Sequence, residues 1–543
     1  MEEIFNRTVS ANIIYDQSHV SLLYSSILLA KLPLLVIFLI QFKLIKHIFF
    51  KNKKVVPSLP PGPPPTWPIL GCVPDMLRNR PADQWIHRLM KELNTDIACF
   101  QLGNSHVITV YSPEIAMEFL KRHDAVFASR PETMATCIIS SGNLTTALNQ
   151  RGEQWKKMRR VLVSEVLSHS KMNWLLDMRN QEADNLVRFL YNQCSKTFKG
   201  EVVNVRTIAK HYPANAMRRM MFSTRYFGKG SEDGGPGFEE EEHVSSFFTM
   251  LKYIYAFSVS DYLPWLRGLD LDGHQKRVRD AVKVVNKYHD PIVNDRILQW
   301  REGKKTQPED LLDVLISLKG SDDKPLLSED EILAQIMEIF LATVDNPYNA
   351  AEWALSEMIN QPKLVEKAVE ELDRVVGKDR LLQESDIPRL RYVVACSREA
   401  LRLHPVAPFN LPHVSNSDCI VSGYFIPKGS SVLLSRLGLG RNPAVWDDPM
   451  RFDPERHISD HVDLAETELR FISFTRGRRG CVGAGLGTNL TVMLLGRLLQ
   501  GFTWNVPEGL DKIDLSCEAD SLLKATPLFA HAKPRLNPSV YMP

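Results

Sequence analysis

The sequence predicts one large, mainly α-helical domain with a minor β-sheet, preceded by a transmembrane helix. Three observations carry this. Residues 155–190, 273–301, 329–360 and 362–376 repeat apolar side chains at the helical period. Short β-branched and apolar stretches (ACFQL and HVITVY) cluster around 97–111, as strands do. One apolar run, 21–42, has about the 20 residues that span a bilayer. From Ile69 onward there is no internal repeat and no low-complexity linker, so 69–543 reads as a single domain.

The N-terminal elements come first. Residues 21–42 read SLLYSSILLAKLPLLVIFLIQF, interrupted by Lys31 and Pro33, and a charge in mid-membrane is costly. A cleaved signal peptide is the other reading. Against it, the preceding segment is long and carries Glu2 and Glu3, and no small-residue cleavage site follows. A retained anchor is expected, with 1–20 as a lumenal tail. Lys43, Lys46, Lys51, Lys53 and Lys54 follow at once, and positive charge stays on the cytosolic side. Residues 43–68 are then a basic and proline-rich hinge, because PSLPPGPPPTWP at 57–68 builds neither helix nor sheet. Asn6 opens an Asn-Arg-Thr sequon on the tail. The 66 Lys+Arg against 64 Asp+Glu give no basic excess for nucleic acid. Eight cysteines are scattered without CxxC spacing, which fits reduced thiols in a cytosol-facing domain.

Within the domain, Trp155 and Arg159 lie one helical turn apart on a basic amphipathic segment. Residues 231–237 (SEDGGPG) are a breaker cluster and a loop. The helix over 329–360 contains Thr343, Val344, Asp345, Asn346 and Pro347. Proline removes one helical hydrogen bond and frees the carbonyl four residues earlier, on Thr343. A kink with unpaired polar groups is expected there, costing about 3 kcal/mol. Glu399 and Arg402 share a helix face, a spacing common in ordinary surface ion pairs, and Arg456 follows in Phe-Asp-Pro-Glu-Arg.

The most informative segment is Phe474-Thr-Arg-Gly-Arg-Arg479-Gly-Cys481-Val-Gly483, followed by a helix-like run. Glycines at 477, 480 and 483 let a backbone turn tightly. Cys481 precedes a helix start, where positive backbone ends favour a thiolate. Phe474 shields one face, and Arg479 offers a guanidinium to a carboxylate. A lone cysteine after such a turn would read as structural. Five positions fixed at this spacing read instead as a thiolate loop for haem iron.

Here the chain resembles the cytochrome P-450 superfamily of haem-thiolate monooxygenases, whose pattern is Phe-x-x-Gly-x-Arg-x-Cys-x-Gly. The resemblance implies that fold and a haem b (iron protoporphyrin IX) with Cys481 as axial ligand. It also implies propionate contacts from Trp155, Arg159, Arg479 and His413, though a histidine satisfied elsewhere is the other reading for His413. Glu399, Arg402 and Arg456 would be a structural lock beneath the haem pocket. The central helix departs from the usual distal pattern, since Asn346 stands where the superfamily has a threonine and Pro347 follows. This Asp-Asn-Pro variant is similar to the plant amino-acid N-monooxygenase branch. HPVAPFNLPHVS (404–415), SDYLPWLRGLDLDGHQK (260–276) and VVGKDRLLQESDIP (375–388) agree with that branch.

The branch implies conversion of a hydrophobic L-amino acid, phenylalanine first, to its (E)-aldoxime by two N-hydroxylations, dehydration and decarboxylation. NADPH would supply electrons through a separate NADPH-cytochrome P-450 reductase, and no nucleotide-binding glycine loop is visible in the chain itself. Location in the endoplasmic reticulum membrane follows, facing the cytosol. Thr343, Asp345 and Asn346 are the candidate catalytic residues. Substrate contacts are expected from 138–145, 250–257, 344–349, 406–410 and 526–529. Two departures stand out: Arg476 where the branch usually has threonine, and GNLTTALNQR at 142–151, in a substrate-contact loop. A carbon-hydroxylating monooxygenase of a lipophilic metabolite and a non-catalytic haem-binding protein are the alternatives.

Overall fold

The computed structural model describes residues 57–65, 67–195, 202–459, 462–518 and 521–542. The expected anchor at 21–42, the tail with Asn6 and the basic run at 43–54 lie outside these residues. Among the described residues no helix is long and apolar enough to cross a membrane.

The packed unit begins at Leu59. Cys99 N donates to Pro61 O at 2.8 Å, so the proline-rich stretch lies along the first strand. That strand, β1 (Ile97–Leu102), pairs antiparallel with β2 (Ser105–Val110). Two short strands complete the sheet: β3 (His413–Val414) and β4 (Ser431–Leu434), in the order β1-β2-β4-β3. β2 and β4 run parallel with Val107 opposite Ser431, while β3 and β4 run antiparallel with His413 opposite Val432. Strands of two to four residues are too short to show a period, so only the first hairpin is legible in sequence.

The rest is mostly helix. The helical period read over 155–190 is carried by three helices. α1 (Glu153–Val161) runs into a wide turn, Leu162–Val166. Ser168 then caps a new helix, His169–Trp174, by accepting from Lys171 N, and Leu176–Ser195 follows. The first and last pieces bury their apolar faces in one core, while the short middle helix packs only the half-buried Met172 against it. Next come α2 (Val205–Phe222), α3 (Phe238–Ile254) and α4 (His274–Arg301).

α5 (Glu329–Ile359) is the central element. Ser328 Oγ accepts from Glu331 N and Glu331 Oε2 accepts from Ser328 N, a reciprocal cap that fixes its start. It is buried on nearly every side, as an all-round apolar helix must be, against α2, α6 (Arg391–Leu403) and α7 (Ala484–Gly501). It continues through Pro347 without interruption. The architecture is thus mainly helical with small sheets.

Candidate active site

The loop before α7 is held by its own backbone. Cys481 N donates to Phe474 O at 2.9 Å, and Gly480 N to Gly477 O at 2.9 Å. Thr475 and Gly477 take positive φ, 56° and 79°. A Cβ on Gly477 would lie 2.5 Å from Leu120 O and 2.7 Å from Asp124 Oδ1, so only glycine fits. Gly480 and Gly483 have negative φ, and a Cβ on Gly483 would meet Cys481 Sγ at an ordinary 4.0 Å. A Cβ on Gly480 would crowd Gly477 O at 3.1 Å, so the turn demands glycine outright at 477 and leaves only Gly483 with ordinary room.

Cys481 opens onto a cavity walled by α1, α5 and the starts of two loops, with Phe474 and Leu486 on its own side. Burial pushes its thiol up, opposed by a backbone hydrogen bond from Gly483 and by the charge of Arg159. A second cavity of about 520 Å³ shares Ile254, Tyr255 and Asn410 with it but holds no part of the cysteine loop. The chemistry therefore belongs to the first.

One side of this cavity is strongly cationic. Arg159 donates to Gly480 O through Nη1 and Nη2, both at 3.2 Å. Arg479 donates to Ala128 O, Thr146 O and Asn149 O, which leaves two of its five N–H groups, and its guanidinium lies 4.6 Å from the Trp155 ring centre. Arg130, which the sequence reading missed, is buried beside them and donates to Ala147 O, Leu411 O and Pro412 O. Burial and the neighbouring cations Arg130 and Arg159 push Arg479 down to about 9. Trp155 Nε1 is buried with no partner.

His413 does not line the cavity. Its Nδ1 is 2.8 Å from Phe127 O and therefore carries the proton. Burial, then Arg130, holds the ring well below the ordinary histidine value, and Nε2 is buried without a partner. Arg130 lies beside it.

The opposite wall is α5. Thr343, Asp345, Asn346 and Pro347 all line the cavity. Thr343 Oγ1 donates back to Ile339 O at 2.7 Å. Pro347 has no N–H, so it cannot serve the Thr343 carbonyl. Asp345 is buried with Oδ1 unpartnered. Burial raises its carboxyl to about 7, against the charges of Lys210 and Arg436. Two turns earlier Glu338, also missed from sequence, accepts from Thr146 N, Ala147 N and Leu148 N and fixes that loop. The cavity wall here is 146–148 rather than 138–145; 250–257 contributes Leu251, Ile254 and Tyr255, and 526–529 contributes nothing.

Below, Glu399 is wholly buried and takes five donors. Oε1 accepts from Arg402 Nη2 (2.7 Å), Arg456 Nε (3.1 Å) and Asp453 N (2.9 Å). Oε2 accepts from Arg402 Nε and His457 Nε2, both 2.7 Å. Burial opposes the charge, but the Arg402 and His457 hydrogen bonds outweigh it and hold the carboxyl below its usual value. His457 was missed; it sits next to Arg456 and receives Arg398 Nε on its other nitrogen at 3.3 Å.

A thiolate-capable cysteine under a cavity with one cationic edge defines a haem-protein class, and comparison agrees. The cytochrome P450 family profile matches residues 60–531. A zebra fish cytochrome P450 solved with progesterone superposes with a TM-score of 0.68 at 24% identity, over 84% of this chain and 100% of that one. A tryptophan N-monooxygenase of Prunus mume is 61% identical over 93% of this chain and 96% of its own length. A phenylalanine N-monooxygenase of Arabidopsis thaliana is 58% identical over 89% and 92%. The chain belongs to the cytochrome P450 family and, within it, to the amino-acid N-monooxygenase branch. Its cofactor is haem iron, with electrons drawn from NADPH through a reductase.

The residues present fit that group. Among the described residues Arg130, Arg159 and Arg479 make no direct ion pair, with Glu338 the anion nearest Arg130 and Arg479, and Trp155 Nε1 is an orphaned donor at the same edge, which two carboxylates would satisfy. The rest of the lining is largely apolar.

Proposed function

We propose that this protein converts a hydrophobic L-amino acid to its (E)-aldoxime, with Cys481 as axial ligand of the haem. Trp155, Arg159, Arg479 and Arg130 would hold the propionates, Phe474 would cover the proximal face, and Gly477 would shape the loop. Bound there, haem supplies the oxidising chemistry, drawing on two dioxygen molecules and two NADPH equivalents. Two N-hydroxylations and loss of carbon dioxide and water then yield the aldoxime. The observation that carries this reading is the Asp345-Asn346-Pro347 turn of α5, which faces the cavity of Cys481 with Asp345 Oδ1 left unpartnered.

The chain's own residues do the positioning. Asp345 and the freed Thr343 carbonyl accept from the substrate ammonium or from water, Asn346 orders the same hydrogen bonds, and Leu251, Ile254 and Ile339 exclude solvent. The relatives are named for tryptophan and phenylalanine, both of which suit apolar walls; phenylalanine is the first substrate to test. Residues 21–42 would anchor the chain in the endoplasmic reticulum membrane, with 1–20 lumenal and 43–68 as the hinge. NADPH-cytochrome P-450 reductase would be the electron donor to the domain at 69–543.

The test is mass spectrometry of products from membranes holding this protein, the reductase and NADPH, supplied with each amino acid in turn. One aldoxime is expected, and Asn346→Thr should lower its yield and raise futile NADPH consumption. Unchanged yield and coupling in Asn346→Thr would count against the role given to that turn, and carbon-hydroxylated products alone would overturn the reaction.

A further inference from the structure

The distal side of the cavity holds a second polar group set that the reading above does not use. Asn410 and Arg436 stand on neighbouring extended segments: Asn410 N donates to Leu434 O at 3.1 Å, Arg436 N to Pro408 O at 2.8 Å, and Phe409 pairs with Ser435 in an antiparallel bridge. With the bridge at 409/435, residues 410 and 436 fall on the same face of the pair. Both side chains line the cavity of Cys481.

Their donors are unused. Arg436 Nε is buried without a partner, and among the described residues nothing accepts from its guanidinium. Asn410 is oriented by its Oδ1, which accepts from Leu434 N at 2.8 Å, and this leaves its Nδ2 buried and unpartnered. Nearby, Asp345 Oδ1 is buried and unpartnered too, and among the described residues Asp345 forms no ion pair with Arg436. Burying two opposite charges in one cavity without pairing them is unfavourable unless a ligand completes both.

These charges are distinct from the cationic edge near Trp155. The groups whose fields reach Arg479 are Arg130, Arg159, Glu338 and Arg151; Arg130 and Arg436 both act on Tyr255, but of the two only Arg436 acts on Asp345. Arg436 thus belongs with α5 and the end of α3, on the substrate side.

We propose that Arg436 and Asn410 form the carboxylate clamp of the site, gripping the α-carboxylate of the amino acid while Asp345 takes its ammonium. This rests on the amino-acid reading above and supplies its specificity: a zwitterion matches both charges, and a lipophilic neutral molecule matches neither. Guanidinium and carboxylate pair bidentately, so the clamp fixes the direction of the Cα–N bond as well as adding affinity. The aldoxime has lost the carboxylate as carbon dioxide, so the product leaves the clamp with nothing to hold.

The test uses the full-length haem-loaded protein, with haem content checked by the reduced carbon-monoxide spectrum. Calorimetry and Soret titration compare L-phenylalanine with L-phenylalaninamide, and L-tryptophan with L-tryptophanamide, pairs that differ in the carboxylate charge. Wild type should bind its amino acid well above the amide. Arg436→Gln should weaken the amino acid by about 10- to 100-fold, the range of a lost charged hydrogen bond, and leave the amide within about twofold. Arg436→Lys should recover part of the loss. Asn410→Asp, which keeps the Leu434 contact and replaces the donor by an anion, should weaken the amino acid as well. Wild-type affinity in Arg436→Gln, or equal weakening of acid and amide, would overturn the clamp while aldoxime formation by wild type still stood. Absence of aldoxime from every amino acid would overturn both readings.

Discussion

Replacing Glu399 by glutamine takes one charge out of a cluster in which Glu399 and Arg402 are both 0% exposed. The carboxylate accepts five hydrogen bonds, two on one oxygen and three on the other. A glutamine keeps one acceptor oxygen and turns an NH2 toward the remaining donors, so at least two bonds are lost and donors face a donor. Arg402 retains Gly440 O, Pro449 O and Arg451 O, but its charge is then uncompensated. Each bond to a charged group contributes about 1.5–3 kcal/mol, and breaking a buried pair costs about 3–5 kcal/mol. Glu399→Gln should therefore lose about 4 kcal/mol. Urea unfolding followed by tryptophan fluorescence, with haem retention read in parallel, measures it. The haem-loaded fraction that survives should keep its wild-type KM, because no member of the cluster lines the cavity. A loss under about 1 kcal/mol, or an altered KM with unchanged stability, would refute the structural assignment.

Other perturbations read other parts of the site. Gly477→Ala places a Cβ 2.5 Å from Leu120 O at φ 79°, so haem-loaded yield should fall sharply, whereas Gly483→Ala, at negative φ with ordinary contacts, should be far milder; spectral quantification of both separates them. Asp345, raised from 3.8 to about 7, binds a proton in the folded protein that the unfolded chain has released. Its stabilising effect is full below about pH 4 and is lost as pH rises toward 7, by about 4 kcal/mol over the window. Lys210, Arg436, Tyr255 and Tyr348 face it, and the two cations limit that loss. Asp345→Asn should flatten this pH dependence in urea titrations. In activity assays it should also remove a rising limb of kcat/KM with an apparent pKa near 7, because only the ionised carboxylate attracts an ammonium. A limb unchanged in Asp345→Asn would assign it to another group.

What the sequence disclosed was local. The Cys481 loop is a run of positions whose backbone must turn within ten residues, and Glu399 and Arg402 share one helix face by spacing alone. The 329–360 helix announces itself by its apolar period, and Pro347 removes its hydrogen bond wherever the helix lies. The break at Ser168 escaped notice because the apolar period ran on across it. Arg130, Glu338 and His457 escaped because each is a single residue whose partners lie tens to hundreds of positions away.

Chemistry written into neighbouring residues is therefore decided by the chain itself, since covalent geometry sets which groups share a turn or a face. The pairing of charges is decided only by the tertiary structure. Packing of α1, α5 and the cysteine loop brings residues 130, 159 and 479 to one edge, and the bridge at Phe409 and Ser435 brings 410 and 436 to another. A charged side chain reads alike in sequence whether it is satisfied or not. Packing determines which guanidinium finds carbonyl groups, as Arg130 does, and which is left facing a cavity, as Arg436 is, because burial makes an unmet hydrogen bond costly only once the chain has closed around it.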